Sequence, residues 1–334
     1  MVSRISFFCN YRECQNPYEN LAVEEYLTDH VREGEVILFL WQNRNTVVIG
    51  RNQDAESECK VRELLADGGF LARRLTGGGA VYHDIGNMNF SFLAGHDVYD
   101  VPRQLSVILE AVKRFGIPAE ISGRNDLKSE GRKFSGNAFR KTKAGCCHHG
   151  TLLIAEDMKD MVRYLNTEGS KLHVKGVKSV PSRVVNLCSL NPAVTVDSLA
   201  EALKESFGAV YGLPVQEIAP EEISGDILRE RTGFFADPHW IFGRKKSYTE
   251  KLEGRWSWGS VKLYLTEEEG IVKDVRIDSD SLEAELIASL PGFLTGAICR
   301  GDILADRVRM IPAETDEQKE IVRDTEALLR RWGQ

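Results

Sequence analysis

The chain has 334 residues, of which 42% are apolar and 28% charged, and this composition is typical of a globular protein with room for two domains. A net charge of −7 argues against general nucleic-acid binding, and no apolar stretch predicts a signal peptide or a membrane-spanning helix. The seven cysteines are scattered without a Cys-x-x-Cys pair, which predicts reduced thiols and a cytoplasmic protein rather than a disulfide framework or a zinc cage.

In the N-terminal part of the chain, hydrophobic periodicity predicts alternating helices and strands. Asn16 before Pro17, with Glu19 three residues after Asn16, is typical of a capped helix start, and a helix is predicted over residues 20–32. Apolar runs further along predict strands at 36–41, 46–49, 70–74 and 88–93, and helices at 57–65 and 101–115.

The rest of the chain is divided by a polar and aromatic stretch at 225–251 that has little periodicity. The segments predicted around it are strands at 133–139 and 151–155, helices at 158–165 and 196–211, a hairpin of strands at 260–265 and 271–277, and helices at 281–290 and 316–332. We therefore predict an α+β fold: a catalytic domain of mixed β-sheets and helices over 1–243, a linker over 244–252, and a small α+β C-terminal domain over 253–334.

Common nucleotide motifs are missing. The sequence has no Gly-Lys dipeptide, which excludes a Walker A loop, and it has no Gly-x-Gly-x-x-Gly pattern. The three consecutive glycines at 77–79 instead follow Arg73 and Arg74. A bare triple glycine fits a tight hairpin without a ligand. Two preceding arginines add fork-shaped donors beside exposed backbone amides, a combination that suits phosphate or carboxylate oxygens.

Lys133 lies among small residues, where its ammonium can act as a compact, mobile point charge. A charged surface hairpin would explain the same segment. Asp126 could hold Mg²⁺ through one carboxylate or could be an ordinary turn residue. The stretch 121–183 carries 13 Lys or Arg and 6 Asp or Glu, which fits either a solvated face or a basic cleft for an anionic molecule.

The pair His148 and His149 suggests metal binding or acid–base chemistry. Adjacent strand residues point to opposite faces, so at most one of the two is expected to face a cleft, and a two-histidine metal site is disfavoured. Cys146 and Cys147 just before them add the less favoured option of a thiolate nucleophile, for which nothing nearby supplies a base.

Taken together, these segments resemble the lipoate-protein ligase A family of the biotin/lipoate protein ligase superfamily. The motifs that carry the resemblance are RRLTGGGAVYHDIGN at 73–87, GRNDL at 123–127, GRKFSGNA at 131–138, HHGTLL at 148–153 and KGVKSVPSRVVNL at 175–187. FLWQN and TVVIGR at 39–51 also match, and RWSWG at 255–259 onward is similar to the accessory C-terminal domain of the family.

The resemblance implies a fold shared with biotin-protein ligases and octanoyltransferases, and a two-step reaction. Lipoate (or octanoate) and Mg-ATP would give lipoyl-AMP and pyrophosphate, and a lysine of an apo lipoyl domain would then displace AMP. The acceptors would be E2 subunits of 2-oxoacid dehydrogenases or the glycine cleavage H protein, and the enzyme would act as a cytoplasmic monomer without nucleic-acid or membrane partners.

The resemblance also implies roles for individual residues. Lys133 would be the catalytic residue, and Asp126 would hold Mg²⁺. ATP or the adenylate would be bound by Arg74, Gly79, Ala80, Val81, Tyr82, Asn125, Asp126, Lys133, Lys175 and Arg183. Lipoate would be bound by Trp41, Arg73, Thr76, Gly78, His83, Lys133 and His149. The segment 175–183 would be a mobile loop that folds over the adenylate.

Three alternatives compete with this interpretation. An acyltransferase of the same fold would pass the acyl group through a cysteine or from a carrier, but residues 121–131 contain no cysteine. A biotin-protein ligase would be expected to show Gly-Arg-Gly-Arg runs, which are missing. A lipoate-binding scaffold would not need the charges of Lys133, Asp126 and Arg74. Preference for lipoate over octanoate stays open, because Asn89 stands where related sequences often carry a small residue or cysteine.

Overall fold

The computed structural model describes residues 1–166, 184–223, 225–243 and 248–332. They form two compact units, each described here by itself. Unit 1 comprises Met1–Val48, Glu56–Arg73 and Val81–Ile241, and unit 2 comprises Ile49–Ala55, Arg74–Ala80 and Phe242–Gln334. The triple-glycine segment is thus grouped with the C-terminal part of the chain. The domain boundaries proposed from the sequence, 1–243 and 253–334, stay a prediction.

Unit 1 contains two β-sheets. Its strands are β1 (Arg4–Cys9), β2 (Glu35–Trp41), β3 (Thr46–Ile49), β4 (Phe70–Arg73), β5 (Val81–His83), β6 (Asn87–Ala94), β7 (Glu120–Ser122), β8 (Asp126–Ser129), β9 (Arg132–Lys141), β10 (Cys146–Leu153) and β11 (Val215–Glu217). The larger sheet has the order β11-β1-β2-β6-β10-β9-β8-β7, and the smaller one has the order β4-β3-β5. Strand β1 is parallel to β2 and β11, whereas β2, β6, β10, β9, β8 and β7 pair antiparallel in turn.

Helices cover both faces of the large sheet. They are α1 (Pro17–His30), α2 (Ala55–Glu58), α3 (Val61–Ala66), α4 (Val101–Lys113), α5 (Met158–Tyr164), α6 (Leu187–Leu190), α7 (Val196–Tyr211), α8 (Gly225–Ala236) and α9 (Pro238–Phe242). Helices α4 and α7 pack against each other and join the main apolar core on one face. Helix α1, with α8 alongside it, contacts β2 and β6.

The central strand β2 shows why the sheet has two buried faces. Val36, Leu38 and Leu40 join the core with α4 and α7. Phe39 and Trp41 alternate with them and are also buried, so they line the opposite face. A strand buried on both sides is apolar throughout rather than alternating, and residues 36–41 of β2, VILFLW, meet that requirement.

Local signals set the helix boundaries. The Asn16 side chain accepts a hydrogen bond from the backbone N–H of Tyr18 (3.0 Å), as the predicted cap requires, and Pro17 opens α1. Thr195 and Ser198 form a reciprocal capping box at the start of α7. Helix α7 ends at Gly212, whose φ of +65° is a conformation that glycine adopts without strain.

Unit 2 has its own sheet and core. Strands β12 (Glu250–Trp256), β13 (Gly259–Glu268) and β14 (Ile271–Ser279) form an antiparallel meander, and the helices are α10 (Ala284–Leu294), α11 (Gly301–Arg309) and α12 (Asp316–Trp332). Alternate strand residues such as Val261, Leu263 and Leu265 are fully buried against these helices. Trp258 is buried with them, and its indole N–H donates to Asp324 (2.9 Å).

Most predicted elements are found within a few residues of their expected bounds, but three expectations are wrong. Residues 57–65 form parts of two short helices, α2 and α3, instead of one. The strand predicted at 151–155 is the end of β10, which begins at Cys146. The aperiodic stretch 225–251 contains α8 and α9. Helix α8 buries only Phe235, so its sequence carries no apolar stripe from which a helix could be predicted.

No helix in the described ranges combines the length and the apolar character needed to cross a membrane.

Candidate active site

One face of the large sheet carries a row of residues, one from each of five neighbouring strands. Trp41 pairs with Asn89, and Asn89 pairs with Thr151. The backbone N–H of Gly136 donates to the Thr151 hydroxyl (3.4 Å), and Gly136 pairs with Asp126. Directly opposed residues of antiparallel strands place their side chains on the same face. We call Asp126, Gly136, Thr151, Asn89 and Trp41 the cross-strand row.

A register shift directs Lys133 toward this row. Lys133 pairs with Lys128, but Ser135 pairs with Leu127, so Phe134 is an extra residue on β9. Such β-bulges change the direction of nearby side chains and are common beside active sites. Phe134 itself is fully buried in the core.

The Lys133 ammonium lies over Gly136. A Cβ atom on Gly136 would stand 2.7 Å from Lys133 Nζ, so the absence of a side chain there makes room for the ammonium. Lys133 Nζ is 2.8 Å from Asp126 Oδ1, and both side chains are partly exposed. The charge is therefore held at one end of the cross-strand row while remaining open to a ligand.

Asn125, which precedes Asp126, is fixed by a chain of hydrogen bonds. Its side chain donates to the Asn137 carbonyl (2.8 Å), and both the backbone and side-chain N–H groups of Asn137 donate to the Asn125 carbonyl (2.9 Å each). Because the Asn137 amide nitrogen is used in this way, Asn137 Oδ1 accepts from His148 Nε2 (2.8 Å). His148 Nδ1 lies 2.9 Å from the amide of Gln104 on α4.

His148 is a core residue. Its ring packs against Phe90, Phe92 and Phe139, and it is fully buried. Burial, and then the neighbouring His149, lower the pKa of His148 to about 3, so the ring is neutral at physiological pH. A neutral imidazole has one donor and one acceptor: Nε2–H donates to Asn137 Oδ1, and Nδ1, which lies beside Gln104 Oε1, accepts once the Gln104 amide is turned so that its nitrogen faces the ring.

His149 lies on the opposite face, as the alternation of a strand requires. His149 Nδ1 is 2.7 Å from Glu24 of α1, and the same Glu24 oxygen accepts from the Ser91 hydroxyl (2.5 Å). Ser91 in turn accepts from the Trp41 indole N–H (3.0 Å). Burial alone would raise the pKa of Glu24, but His149 and the hydrogen bonds from His149 and Ser91 outweigh it and lower that pKa. This network fixes the Trp41 ring.

Two further predicted residues lie nearby in unit 1. The ring of His83 stands edge-on to Trp41, with 6.3 Å between the centroids, and His83 Nδ1 is 3.1 Å from the Asn43 amide. Tyr82 packs against Tyr164 (5.6 Å between the centroids), and burial raises its pKa. Both side chains are buried.

Arg73 and Arg74 have different partners. The Arg73 guanidinium donates to the carbonyl of Ile241 (2.6 Å), and its own carbonyl accepts from the Trp240 indole (2.9 Å). The Arg74 guanidinium, in unit 2, donates to the Thr76 hydroxyl (3.0 Å) and to the carbonyls of Gly77 (2.6 Å) and Gly79 (2.8 Å). In this structure Arg74 therefore shapes the glycine loop.

The three glycines have different structural demands. A Cβ atom at Gly77 would lie 2.1 Å from the Ser281 carbonyl oxygen. Gly78 has a φ of +89° and donates its N–H to the same carbonyl (3.2 Å). A Cβ atom at Gly79 would meet nothing within 4 Å. Packing within unit 2 thus requires glycine at 77 and favours it at 78, whereas Gly79 is open.

The residues proposed from the resemblance are divided between the units. Unit 1 holds Trp41, Arg73, Val81, Tyr82, His83, Asn125, Asp126, Lys133 and His149. Unit 2 holds Arg74, Thr76, Gly78, Gly79 and Ala80. Lys175 and Arg183, with the proposed loop 175–183, lie outside the described residues. Within unit 1, Lys133 and Asp126 meet directly. Trp41 contacts His83 and is linked to His149 through Ser91 and Glu24.

The described residues offer one group of three potential metal ligands with donor atoms within 4.8 Å of one another: Glu24, Cys147 and His149. It does not include Asp126. Glu24 already accepts two hydrogen bonds there. Burial raises the pKa of both Cys146 and Cys147, which disfavours the thiolate. The expectation that no base lies near these cysteines is wrong, because Cys146 Sγ is 3.4 Å from His96 Nδ1.

Sequence reasoning did not find Glu24, Ser91, Thr151 or Gly136 as parts of this face. Glu24 and Glu25 are adjacent on α1, and the sequence gives no reason to prefer one. In the structure Glu24 is buried beside His149, whereas Glu25 pairs with Arg231 (2.6 Å). A glutamate inside the apolar run of α1 is the signal that was available.

Solved structures define the class of protein to which this fold belongs. The crystal structure of P. falciparum LipL1 in complex with lipoate is 27% identical, covers 98% of this chain and 99% of its own, and has a TM-score of 0.86. A bi-partite lipoate protein ligase from Thermoplasma acidophilum, analysed with its E2 lipoyl domain, is 26% identical, with a TM-score of 0.63 over 73% of this chain and 98% of that one. A lipoate-protein ligase A bound with ATP is 24% identical, with a TM-score of 0.61 over 73% and 99%, and shares the fold. The class is that of the lipoate-protein ligases, which confirms the predicted α+β ligase fold.

Family models identify the chain more closely. Residues 16–208 match the lipoyl protein ligase A/B catalytic domain, and residues 245–325 match the bacterial lipoate protein ligase C-terminus. The chain belongs to the lipoyl protein ligase A/B family, and it is an enzyme of the ligase type within it.

The packing of the glycine loop predicts different tolerances at neighbouring positions. Gly77→Ala should lower the free energy of unfolding by about 1–3 kcal/mol, because its Cβ would collide with backbone rather than with a flexible side chain. Gly79→Ala is the matched control and should unfold close to the wild type. Urea denaturation of the purified variants measures both, and equal midpoints for the two would contradict the close approach at Gly77.

The buried His148 predicts a pH dependence of stability. Its folded pKa, about 3, lies below the unfolded value of roughly 6.5, so below pH ~6.5 the unfolded chain binds a proton that the folded chain does not. Stability contributed at this site is therefore complete at neutral pH and falls by up to ~1.4 kcal/mol per unit as the pH drops toward 3.

His148→Gln should remove this contribution, so the wild-type advantage in unfolding free energy should shrink between pH 7 and 5. Urea midpoints at several pH values measure it. His30→Gln, at an exposed position of α1, controls for the loss of a histidine. A wild-type-to-variant difference that stays constant with pH would show that His148 is not held neutral.

Proposed function

We propose that the protein activates lipoate with ATP to lipoyl-AMP and transfers the lipoyl group to a lysine of an apo lipoyl domain. The observation that carries the proposal is the Lys133 ammonium, held over Gly136 and beside Asp126 at the polar end of the cross-strand row. Trp41 closes the other end. LipL1, which is similar over nearly the whole chain, is described in complex with lipoate, and a lipoate-protein ligase A of the same fold is described with ATP.

The first step joins two anions. A carboxylate oxygen of lipoate bonds to the α-phosphorus of ATP, and the bond from that phosphorus to the departing pyrophosphate breaks. Catalysis of such a step is mostly positioning and the stabilisation of developing negative charge. An ammonium has three donors, so Lys133 can contact a carboxylate and an α-phosphate oxygen while Asp126 holds it in place.

The acyl chain would follow the cross-strand row. Three strand spacings separate Gly136 from Trp41, or roughly 14 Å, which is enough for an extended medium-chain acyl group with a ring at its end. The buried rings of Trp41 and His83 give the far end of the row an apolar, aromatic wall. The Glu24 network, which fixes Trp41, keeps that wall in place.

Mg²⁺ would enter with the nucleotide. Asp126 supplies one carboxylate, and its partner Lys133 lies within 2.8 Å, so these residues fit a metal carried by a triphosphate better than a resident ion with several protein ligands. When bound, the ion would neutralise phosphate charge. Asn125, fixed by Asn137, would hold the turn that presents Asp126.

The second step needs an acceptor amine. A neutral lysine amine attacks the acyl carbonyl of the adenylate, the amide bond forms, AMP leaves, and the amine loses a proton. Lipoyl domains of E2 subunits or the glycine cleavage H protein are the proposed acceptors, with the enzyme acting as a cytoplasmic monomer. The Thermoplasma acidophilum ligase, described with an E2 lipoyl domain, supports this acceptor class.

The remaining site roles are proposed on the same basis. Arg74, Gly79, Ala80, Val81, Tyr82, Lys175 and Arg183 would contact ATP or the adenylate, and Arg73, Thr76, Gly78, His83 and His149 would contact lipoate. An acyltransferase is less favoured, because residues 245–325 match a ligase C-terminus and burial raises the pKa of Cys146 and Cys147.

Lys133→Ala should retain the fold and lose adenylate formation by about 10²-fold or more, the effect typical of removing one preorganised charge donor. Lipoate-dependent ATP–pyrophosphate exchange measures it. Lys113→Ala, on helix α4 at the opposite face of the sheet, removes a positive charge outside the proposed contacts and is the control. Exchange within a few fold of wild type in Lys133→Ala would overturn the assignment.

Gly136→Ala should impair exchange through Lys133, because the new Cβ would displace the ammonium, whose flexible end moves more easily than backbone. We expect a loss of roughly tenfold in kcat with a smaller change in stability. The double variant with Lys133→Ala should be no worse than Lys133→Ala alone. Losses that multiply would show that Gly136 acts independently of Lys133.

A further inference from the structure

We propose that Asn89 is a specificity-determining residue that selects acyl substrates whose far end carries a hydrogen-bond acceptor. The enzyme would therefore prefer the dithiolane of lipoate to a purely hydrocarbon end of the same shape. This inference rests on the proposed function, because it assigns the polarity of the acyl tail that the same site accepts.

The position of Asn89 in the cross-strand row sets which part of the substrate it meets. Asn89 is two strand spacings from Gly136, or roughly 10 Å, with Thr151 between them. A carboxylate bound at the Lys133 ammonium would place the far end of an extended medium-chain acid over Asn89. Trp41, one spacing further on, would lie beside the ring.

Asn89 is buried with an unused donor. Its side chain is on a residue only 2% exposed, and its Oδ1 accepts from the Asn87 amide nitrogen (3.2 Å). Asn89 Nδ2 and Asn87 Oδ1 have no hydrogen-bond partner among the residues that the structure describes. In the observed orientation the donor nitrogen left over belongs to Asn89 and the acceptor oxygen left over belongs to Asn87.

The polar groups that surround Trp41 on this face already form hydrogen bonds with one another. The Trp41 indole donates to Ser91, the Ser91 hydroxyl donates to Glu24, and Glu24 also accepts from His149. Asn89 differs from them, because its side-chain amide nitrogen is buried and has no hydrogen-bond partner among the described residues. A buried unpaired donor is costly, so the site gains when a ligand supplies an acceptor.

The free-energy cost of leaving this donor unpaired distinguishes a dithiolane ring from a hydrocarbon ring. A dithiolane sulfur is a weak acceptor and can lie over the Asn89 N–H. A hydrocarbon ring fills the same space but leaves the Asn89 N–H unpaired, and it excludes any other hydrogen-bond acceptor from that position. Sites built around a hydrogen bond reject analogues that lack the group more strongly than apolar pockets reject a change of size.

The test compares two acids of matched shape, lipoate and 5-cyclopentylpentanoate, in which carbons replace both sulfurs. The ratio of kcat/KM for the two acids in ATP–pyrophosphate exchange is measured for the wild type and for Asn89→Leu, an apolar side chain of similar size. We expect the wild type to favour lipoate by roughly tenfold to a hundredfold. Asn89→Leu should lower that ratio about tenfold or more, with a higher kcat/KM for the cyclopentyl acid.

The outcomes separate the inference from the function on which it rests. Exchange by the wild type with neither acid would overturn the proposed function itself. Robust exchange with equal use of the two acids, or an unchanged ratio in Asn89→Leu, would overturn the role of Asn89 alone. Asn89→Ala serves if the leucine variant does not fold, since it also removes the N–H, and its ratio should fall in the same direction.

Discussion

The antiparallel register of β8, β9, β10, β6 and β2 is the constraint on which the candidate site depends. Residues far apart in the chain, such as Trp41 and Asp126, come into one line because each pair of strands fixes which residues lie opposite each other. A slip of one residue in any pair would turn the affected side chains to the opposite face. The same register places the bulge at Phe134, which turns Lys133 toward Gly136.

Two adjacent histidines stabilise the cross-strand row from opposite faces of the sheet. His148, neutral in the apolar core, links α4 to the turn that carries Asn125. His149, on the other face, joins Glu24 and Ser91 in the network that fixes Trp41. One strand, β10, therefore supports both ends of the cross-strand row. Each support is a buried polar group held by hydrogen bonds, which favours a single geometry.

Individual strands, helices and motifs of this site can be predicted from the sequence, but the way they come together in space cannot. Strong apolar runs and a capped start reveal β2 and α1, and the motifs around Lys133 and Asp126 indicate charge chemistry. The row itself depends on pairings between distant strands, which no local pattern records. The bulge at Phe134 is hidden in a strand with ordinary composition, and α8 lacks the apolar stripe that would predict it. The buried role of Glu24 cannot be separated from the exposed pairing of Glu25 without the fold.

The packing of the glycine loop has a consequence for how this protein can be divided. Gly77 and Gly78 pack against the main-chain carbonyl of Ser281, so the glycine loop owes part of its shape to a residue about two hundred positions later in the chain. A gene cut before Phe242 would encode nearly all of unit 1 but would separate the loop from that carbonyl. If the gene divided into two at this point, the glycine loop would keep its shape only if the two resulting chains still bound each other.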